Sequence, residues 1–406
     1  MPWKKDIKEI KKREKLSLQH GGKESVKNQH KKGRKTLRER FDLILDEESF
    51  DEIGKISGSS IYNDKGELEN FIPANFLLGF GKINKRPIII GGEDFTLKGG
   101  SPNPAGLRKS IYTEELALKY KIPLIRLHEG GGGSVTGSGG SAKKPKIPNS
   151  EPVFSKNRFQ ALAQCLGVIP VATAALGPVA GLPAARLVAS HFSVMTKNSQ
   201  VIIAGPAVVK RALGIDVTKE ELGGPEVHLK SGVVDNLAEN EEDALHQIKR
   251  FLSYLPDNYL NLPPTIPSKD KPNRMEKELE SIIPNNRRKA YNMRRLLELV
   301  LDKGSFFEIS KMYGPSLITG LARLNGYSVA ILANDCMFYA GAMTSDASLK
   351  LRKFIDFVNS FNIPVLSFVD EPGFMIGPDS EKEGTIRHGT AAISSLMQSI
   401  VPWSSV

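Results

Sequence analysis

The chain has 406 residues, of which 40% are apolar and 25% charged, a balance typical of globular proteins with buried cores. Its length predicts two or three domains, at about 100–200 residues each. Its two cysteines are too few for a disulfide scaffold or a zinc site, and its charged first residues do not resemble a secretory signal. We therefore expect a soluble, intracellular protein without a metal site.

The formal net charge of +11 is concentrated at the start of the chain. Residues 1–40 hold 15 Lys and Arg against 5 Asp and Glu, so the rest of the chain is nearly neutral. A folded nucleic-acid-binding surface would instead carry its charge on a structured face, so we expect no nucleic-acid partner. We interpret residues 1–34 as a basic arm, solvated and partly helical, and a contact with an acidic partner stays open.

The segment that follows the arm alternates apolar runs with helical patterns. Residues 37–54 predict an amphipathic helix, a turn that contains Asp46 and a short strand entered through Ser-Phe. A strand over residues 86–91, a helix over 113–120 and a second buried strand over 122–127 come next. Apolar strands that alternate with helices indicate α/β layers.

A glycine-rich run follows the second of these strands. Residues 130–133 are all glycine, and more glycines continue to residue 140. Backbone amides in such a run would cradle a phosphate, but a surface loop has the same composition, and both interpretations stay open.

Residues 159–185 carry no charge and would be long enough to cross a bilayer. Six Gly and Pro residues interrupt them, and proline removes a hydrogen-bond donor and clashes with the preceding turn, which excludes one continuous helix. We predict a buried strand over 168–175 that ends at Gly177-Pro178, followed by a helix with Pro183 at its first position. The segment is thus interpreted as core, and no membrane span is expected.

The turn before this helix is a candidate catalytic element. The amides of Gly181 and Leu182 are expected to be free there, and paired backbone N–H groups stabilise a developing oxyanion without a titrating side chain. An ordinary turn between a strand and a helix would have the same sequence, so this segment alone leaves both interpretations open.

The sequence lacks the common catalytic motifs. Its seven histidines show no metal-binding spacing, and there is no nucleophile elbow, Walker A loop or dinucleotide fingerprint. We expect His128 and His388 to be hydrogen-bonded structural groups.

The chain repeats itself. Residues 37–54 return at 293–310 with the same helix, Asp turn and Ser-Phe strand. Residues 79–84 match 320–325, and the same offset of 241 residues aligns further pairs, among them Asp94 with Asp335 and Gly100 with Gly341. Agreement in one register over this distance predicts two related α/β domains.

The second copy repeats the order of elements, with a strand over 328–333, a helix over 348–361 and a strand over 363–369. A Pro-rich, charged bridge reads as a linker between the copies. We place the first domain at 35–261, the linker at 262–275 and the second domain at 276–406.

Eight strings occur in this order along the chain: GRKTLRER (33–40), DFTLKGGS (94–101), GPVAGL (177–182), IAGPAVVK (203–210), LGGPEVH (222–228, with Ser231-Gly232), LSYLP (252–256), VDEPGFMIG (369–377) and GTIRHG (384–389). With these strings in this order, residues 30–406 resemble the carboxyltransferase (beta) subunit of biotin-dependent acyl-CoA carboxylases, such as propionyl-CoA and acetyl-CoA carboxylase.

The resemblance implies an α/β fold, a tandem duplication of crotonase-like (ClpP/crotonase) β-β-α spiral domains. It also implies the transfer of CO2 from carboxybiotin to the α-carbon of an acyl-CoA through an enolate held by backbone amides. The released biotin takes the α-proton in this scheme, so no Glu or His base is expected.

The resemblance also assigns candidate site residues. The amides of Gly181 and Leu182 would hold the enolate, and Gly99 and Gly100 would line the acyl-CoA pocket. The biotin side would consist of Gly341, Ala342, Gly373 and Phe374.

The implied cofactor is biotin carried on a partner protein, with a coenzyme A thioester as the substrate. The implied partners are a biotin carboxylase or biotin carboxyl carrier subunit and further copies of the chain, with active sites at a dimer interface within a hexamer. The implied location is the cytoplasm, or the mitochondrial matrix in a eukaryote. The alternatives are the carboxyltransferase subunit of a biotin-dependent acyl-CoA decarboxylase and a non-catalytic CoA-binding relative.

The chain departs from the family pattern in three places. Leu182-Pro183 stands where Gly-Ala is usual, and the run after Glu129 lacks the family's arginine. In relatives, the segment after residue 406 supplies a second amide pair on the biotin side. We therefore expect the second copy to be truncated and the chain as given to be inactive if it is a fragment.

Overall fold

The computed structural model describes residues 3–132, 158–271, 273–286 and 288–406. The chain divides into unit 1, residues 1–225 and 237–249, and unit 2, residues 226–236 and 250–406. None of the helices in the described ranges has the length and apolar character that a bilayer crossing requires.

Ten helices and ten strands lie between the N-terminus and residue 253 in the described ranges. The helices are α1 (Lys4–Ser17), α2 (Lys23–Lys31), α3 (Leu37–Ile44), α4 (Pro104–Tyr120), α5 (Arg158–Leu166), α6 (Leu182–Val188), α7 (Pro206–Leu213), α8 (Lys219–Gly223), α9 (Pro225–His228) and α10 (Glu241–Ser253). The strands are β1 (Asp51–Glu52), β2 (Gly58–Tyr62), β3 (Leu68–Pro73), β4 (Phe76–Ile83), β5 (Arg86–Glu93), β6 (Leu124–Gly130), β7 (Val171–Ala180), β8 (Phe192–Thr196), β9 (Gln200–Ile202) and β10 (Asn236–Ala238).

The main sheet of unit 1 has the order β1-β4-β5-β6-β7-β8-β10, and β9 pairs with β7. The hairpin β4–β5 is antiparallel, and β5, β6, β7 and β8 run parallel to one another. Apolar residues of α4, α5 and the central strands form one core cluster. The carboxyl ends of β5, β6 and β7 therefore meet at one edge, where ligands bind in sheets of this kind.

Unit 2 contains the remaining helices and strands: α11 (Met293–Val300), β11 (Phe307–Ile309), β12 (Leu317–Leu324), β13 (Tyr327–Asn334), α12 (Ser345–Ser360), β14 (Val365–Phe368), α13 (Pro378–Lys382), α14 (Thr385–Met397) and β15 (Trp403–Ser405). Short 3-10 turns lie at Lys98–Gly100 in unit 1 and at Lys277–Glu280 and Tyr339–Gly341 in unit 2. The sheet of unit 2 has the order β11-β12-β13-β14-β15, two antiparallel pairs followed by two parallel pairs. This is the same order and sense as β1-β4-β5-β6-β7, so the predicted duplication of an α/β domain is confirmed.

The duplication extends to backbone detail. Asp46 accepts hydrogen bonds from the amides of residues 84 and 85 at 2.9 and 2.7 Å. Asp302 accepts the equivalent pair from residues 325 and 326 at 2.9 and 2.8 Å. The matched Asp of each copy thus binds the hairpin turn at the same place, a contact that the sequence analysis did not predict.

Three predicted boundaries were wrong. Strand β7 does not end at Gly177-Pro178 but continues to Ala180, because Pro178, Val179 and Ala180 pair with β9. Helix α6 accordingly begins at Leu182, so that Pro183 is its second residue. The predicted helix over 113–120 is the second half of α4, which begins at Pro104 because the Asn103 side chain accepts from the Gly106 amide.

The basic arm is helical, as predicted, but its second half is not simply solvated. His20 Nδ1 lies 2.7 Å from an oxygen of Asp94, which follows β5. Gln29 is buried and donates to Glu129 at 2.7 Å. Both contacts reach the edge where the parallel strands end, so the arm belongs to the structure of unit 1.

Candidate functional site

A small cavity of about 20 Å³ lies where β5 ends and α6 begins. A water molecule needs about 10–15 Å³ of such volume, so the cavity has room for about one water molecule. Its lining residues come from the start of β4, the end of β5, the following turn, α4 and α6. They are Asn75, Phe76, Glu93, Gly100, Pro102, Gly106, Leu107, Ser110, Leu182, Pro183 and Arg186.

The two predicted amides are not equivalent. The Gly181 amide donates to the carbonyl of Ile202 at 3.2 Å and so belongs to the pairing of β7 with β9. The Leu182 amide makes no hydrogen bond to any described residue, and Leu182 lines the cavity. Leu182 is therefore the amide of this pair that remains for a ligand.

Gly181 is required by the backbone. Its φ of +65° lies in the left-handed region, and a Cβ there would approach Gly132 Cα to 3.0 Å. Gly131 in turn donates its amide to the Gly99 carbonyl at 3.0 Å. These described members of the glycine run thus allow a close approach of backbones, and residues 133–140 of the run lie outside the described residues.

Gly100 also lines the cavity, whereas Gly99 does not. Both have left-handed φ values, +66° and +62°. A Cβ on Gly100 would lie 2.5 Å from the Glu129 carbonyl, but one on Gly99 would meet nothing closer than the Phe95 ring at 3.9 Å. The structure therefore brings Gly100 and Leu182 to one cavity and places Gly99 beside it.

Sequence reasoning missed two charged residues of this cavity, Glu93 and Arg186. They belong to a buried network that also includes Glu114, Arg126 and His128. Glu93 Oε2 lies 3.1 Å from His128 Nδ1, and Arg186 Nε donates to Glu114 at 2.8 Å. Arg126 also donates to Glu114.

Several polar atoms of this network have no hydrogen-bond partner among the described residues. They are Glu114 Oε2, Arg126 Nε and Nη2, His128 Nε2 and Arg186 Nη2. Burying such atoms unpaired costs about 1–3 kcal/mol each, and more for charged groups. A signal was available: Arg126 interrupts an apolar strand, and Arg186 ends a run of 27 uncharged residues.

Burial and the charges of the network also shift the pKa values of its members. Burial by itself raises the pKa of Glu93, but the His128 contact and the guanidinium groups of Arg126 and Arg186 bring it below its ordinary value. Burial lowers the pKa of His128 and lowers that of Arg126 to about 10. At neutral pH the carboxylate of Glu93 is therefore ionised and His128 is neutral.

The expectation for the two histidines is confirmed in one case. His128 is hydrogen-bonded, although as a member of this network. The His388 side chain is half-buried and makes no hydrogen bond to a described residue, so the expectation was wrong for this ring; only its backbone amide is bound, to the Gly384 carbonyl at 3.1 Å. In the described parts of the chain, no group of three or more His, Cys, Asp or Glu is arranged to hold a metal ion.

A larger cavity of about 280 Å³ lies elsewhere in unit 1 and contains none of the predicted site residues. Two basic residues of the arm, the following Lys35 and three Glu residues near α10 line it together, and Lys35 pairs with Glu242 at 2.5 Å. Below it, Arg40 is 1% exposed and contacts Glu129 at 2.6 Å and Glu241 at 2.7 Å. Opposite charges pair here, so this surface is not a cationic site for phosphate.

The four residues predicted for the biotin side lie together in unit 2. Met343 follows Ala342, donates to the Gly373 carbonyl at 2.9 Å and bridges to Phe374. The amides of Gly341 and Ala342 donate within their own turn, to Phe338 and Tyr339. The turn and the Gly373-Phe374 segment thus form one wall, whose first two amides are already used.

Comparisons with known proteins agree on one family. Residues 28–406 match the family model of the carboxyl transferase domain. The carboxyltransferase subunit of propionyl-CoA carboxylase from Haloferax mediterranei is 35% identical over 404 residues, covering 98% of this chain and 76% of that protein. The alpha subunit of methylmalonyl-CoA decarboxylase from Veillonella parvula is 33% identical over 384 residues, covering 94% and 74%.

A solved structure shows the same fold. Transcarboxylase 12S, crystallised with methylmalonyl-coenzyme A and methylmalonic acid bound, superposes with a TM-score of 0.86 at 30% identity. The match covers 98% of this chain and 76% of that chain.

Proposed function

The chain belongs to the carboxyl transferase domain family, and on this premise we propose that it transfers CO2 from carboxybiotin, carried on a partner protein, to the α-carbon of an acyl-CoA. The observation that supports this site is Leu182, a residue that lines the small cavity and whose amide makes no hydrogen bond to any described residue. Carboxylation at the α-carbon passes through a thioester enolate. A preorganised backbone donor in a water-poor cavity stabilises such an anion.

The residues of unit 1 have separate tasks in this proposal. The thioester oxygen accepts from the Leu182 amide, and the turn at Gly100 forms a wall against which the acyl group lies. Gly181 shapes the turn into α6, while its own amide stays in the sheet. Gly99 allows the turn to form beside the cavity.

The names of the relatives point to a short acyl group. The relatives from Haloferax mediterranei and Homo sapiens are named propionyl-CoA carboxylase subunits. We therefore take propionyl-CoA as the first substrate to test.

The biotin side is assigned to unit 2. Gly373 is half-buried with open space around its Cα, and the adjacent Phe374 ring offers an apolar surface, which fits the fused rings of biotin. Gly341 and Ala342 hold the adjoining turn instead of donating to the cofactor, since their amides are used. Carboxybiotin supplies the CO2 when it is bound.

The partners follow from the same family. A biotin carboxylase or biotin carboxyl carrier subunit would deliver the cofactor. The chain would assemble with further copies of itself, since transcarboxylase 12S is described as a hexamer. The cytoplasm, or the mitochondrial matrix in a eukaryote, is the proposed location.

A second candidate is the corresponding subunit of an acyl-CoA decarboxylase, favoured by the relative from Veillonella parvula. That enzyme would use the same enolate site in the opposite direction. Incubation of the full chain with its carrier partner separates the two, because only a carboxylase consumes ATP and bicarbonate when a biotin carboxylase is added.

The test of the site is Leu182→Pro, which removes the proposed donor. Proline suits the first position of a helix, which Leu182 occupies, so the fold should tolerate the change. Loss of one oxyanion donor lowers kcat by about 10²–10³-fold. Transfer of labelled carboxyl from a biotinylated carrier to propionyl-CoA measures this, and Leu182→Ala, which keeps the amide, is the matched control. Equal turnover of the proline and alanine variants would show that this amide does not hold the enolate.

A further inference from the structure

Helix α1, the first helix of the basic arm, carries an exposed apolar line that the transfer of CO2 does not use. Residues 3, 7 and 10 are spaced by four and three positions, so they lie along one side of a helix with 3.6 residues per turn. Leu18, whose backbone is still helical at the end of α1, continues this line after the half-buried Glu14. The four apolar residues of the line are exposed: Trp3 by 69%, Ile7 by 47%, Ile10 by 44% and Leu18 by 49%. Exposed apolar side chains that lie next to one another mark interaction surfaces.

A stripe of lysines lies beside the apolar line. Each of these lysines follows a residue of the line by one position and is therefore about 100° further around the helix. They are Lys4, Lys8, Lys11 and Lys15, and all four are exposed. Asp6, an exposed acidic residue of α1, precedes Ile7 by one position and so lies on the other side of the apolar line. The lysine stripe thus contains no acidic residue.

A different side of α1 is fixed to unit 1. Lys12 donates to the Leu68 carbonyl, and Arg13 donates to the Tyr62 hydroxyl at 2.6 Å. Tyr62 ends β2 and Leu68 begins β3, so both contacts reach the same hairpin. Because the helix is already formed and held, a partner of the two stripes does not have to order it first, which lowers the entropy cost of binding.

We propose that α1 binds the surface of a membrane that contains anionic lipids. Trp3, Ile7 and Ile10 would insert among the lipid head groups, and the lysine stripe would face the lipid phosphates. A helix of 14 residues is too short to cross a bilayer, which needs about 20, so α1 would lie in the plane of the surface. This inference does not rest on the proposed transfer of CO2.

This partner uses both stripes. Helices that lie on membranes have Trp, Phe or Leu on one side and Lys or Arg on the polar side. The indole ring of tryptophan favours the depth of the head groups. Lysine side chains are long enough to keep the ammonium group at the phosphates while their methylene groups lie against apolar surface. A soluble polyanion would bind the lysine stripe alone and would leave the apolar line exposed to water.

A protein partner fits these stripes less well. A stable protein–protein interface buries about 800 Å² on each side, from about 20–30 residues, which is far more than one line of four apolar side chains offers. A second copy of this chain has a formal net charge of +11, and like charges oppose its approach to a lysine stripe. A bilayer requires no such area, because each lysine near an anionic surface adds to the attraction separately.

The experiment is sedimentation of the full chain with vesicles of phosphatidylcholine, with and without phosphatidylserine. We expect binding to the vesicles that contain phosphatidylserine and little binding to the neutral ones. Binding should weaken as salt is added, because salt screens the lysine charges. Absence of binding to the anionic vesicles would overturn the proposal.

Two variants test the two stripes separately. Replacing the four lysines of the stripe by glutamine should weaken vesicle binding by about 10²–10³-fold, at about fivefold for each lysine. Its matched control removes the same charge from four exposed lysines outside the arm and should bind like the wild type: Lys82→Gln, Lys219→Gln, Lys269→Gln and Lys311→Gln. Replacing Trp3, Ile7 and Ile10 by glutamine should weaken binding by about tenfold or more. All these positions are exposed, so each variant should keep the melting temperature of the wild type.

Tryptophan fluorescence reports the insertion directly. The chain has two tryptophans, so Trp403→Phe leaves Trp3 as the only one. Its emission should shift to shorter wavelength when anionic vesicles are added and should be quenched by brominated lipid. An emission that stays unchanged while the chain is bound would show that the apolar line does not enter the membrane.

The other possible occupants give different results. If the lysine variant lost vesicle binding but the apolar variant kept it, α1 would be a general polyanion site and the proposal would be wrong. It would also be wrong if the lysine variant and its control lost the same affinity, because net charge would then explain the binding. A change of oligomeric state in the apolar variant, measured by gel filtration, would assign the line to contacts between copies of the chain and would overturn the proposal as well.

Discussion

The turn after β5 offers a sharp test of why glycine lies at the wall of the cavity. Gly99 and Gly100 both have left-handed φ values, +62° and +66°. They differ in their surroundings, because a Cβ on Gly100 would lie 2.5 Å from the Glu129 carbonyl and 2.7 Å from Gly130 Cα. Alanine at each position separates conformational strain from this close backbone approach.

The expected magnitudes follow from these contacts. A left-handed alanine costs about 1–2 kcal/mol, which applies to both variants. Overlap with backbone that cannot move aside adds about 1–3 kcal/mol, and only Gly100→Ala meets it. We therefore expect a loss of roughly 1–2 kcal/mol for Gly99→Ala and roughly 2–5 kcal/mol for Gly100→Ala.

Unit 2 already contains the milder change. The equivalent turn has Ala340 at the position of Gly99, with φ +52°, and Gly341 at the position of Gly100, with φ +80°. A Cβ on Gly341 would lie 2.5 Å from the Asp370 carbonyl, the same distance as in unit 1. The protein thus tolerates alanine at the first position and has glycine in both copies at the second.

The assay is urea denaturation read by hydrogen exchange and mass spectrometry, which follows peptides of β5 and β6 separately. A protein with two units need not unfold in a single transition, so a local measurement is required. Propionyl-CoA affinity should also weaken for Gly100→Ala and change little for Gly99→Ala. If both variants lost the same stability, the close approach would not be the reason for glycine at position 100.

Two further predictions concern buried charges. Arg40→Met leaves Glu129 and Glu241 without their shared buried partner and should lower the free energy of unfolding of unit 1 by about 3–5 kcal/mol, measured by urea denaturation. Arg211→Met, on the exposed side of α7, is its control and should change stability by less than about 0.5 kcal/mol. Burial lowers the pKa of Lys350 to about 7, while an unfolded lysine titrates near 10.4. Between these pH values the unfolded chain binds more protons than the folded chain. The free energy of unfolding of unit 2 should therefore rise with pH in this range, by at most about 1.4 kcal/mol per pH unit. Lys350→Met removes this contribution, and urea midpoints of the two proteins that ran parallel from pH 7 to 9.5 would contradict it.

The constant offset between matching residues was enough to predict the duplicated α/β architecture. This offset pairs Asp94 with Asp335 and Gly100 with Gly341, and it can be found without knowing how either copy packs. Local rules then predict the amphipathic helix, the Asp turn and the strand, because each depends on residues a few positions apart. The same locality explains the misplaced end of β7, since its extension depends on pairing with β9.

The candidate site was predictable only in part. The glycine-rich turns were visible in the sequence, and the structure brings Gly100 and Leu182 to one cavity. That the Gly181 amide is used by Ile202 was not visible, because the partner of a strand is chosen by the whole sheet.

The amino-acid sequence by itself therefore determined the repeat, the order of the elements and the turns where glycine is required. The tertiary structure decided which backbone amide remains for a ligand and which charges share its cavity. Glu93 meets His128 across 35 residues, and Arg186 meets Glu114 across 72. Contacts over such separations depend on how the strands and helices pack, and no local pattern of residues encodes them.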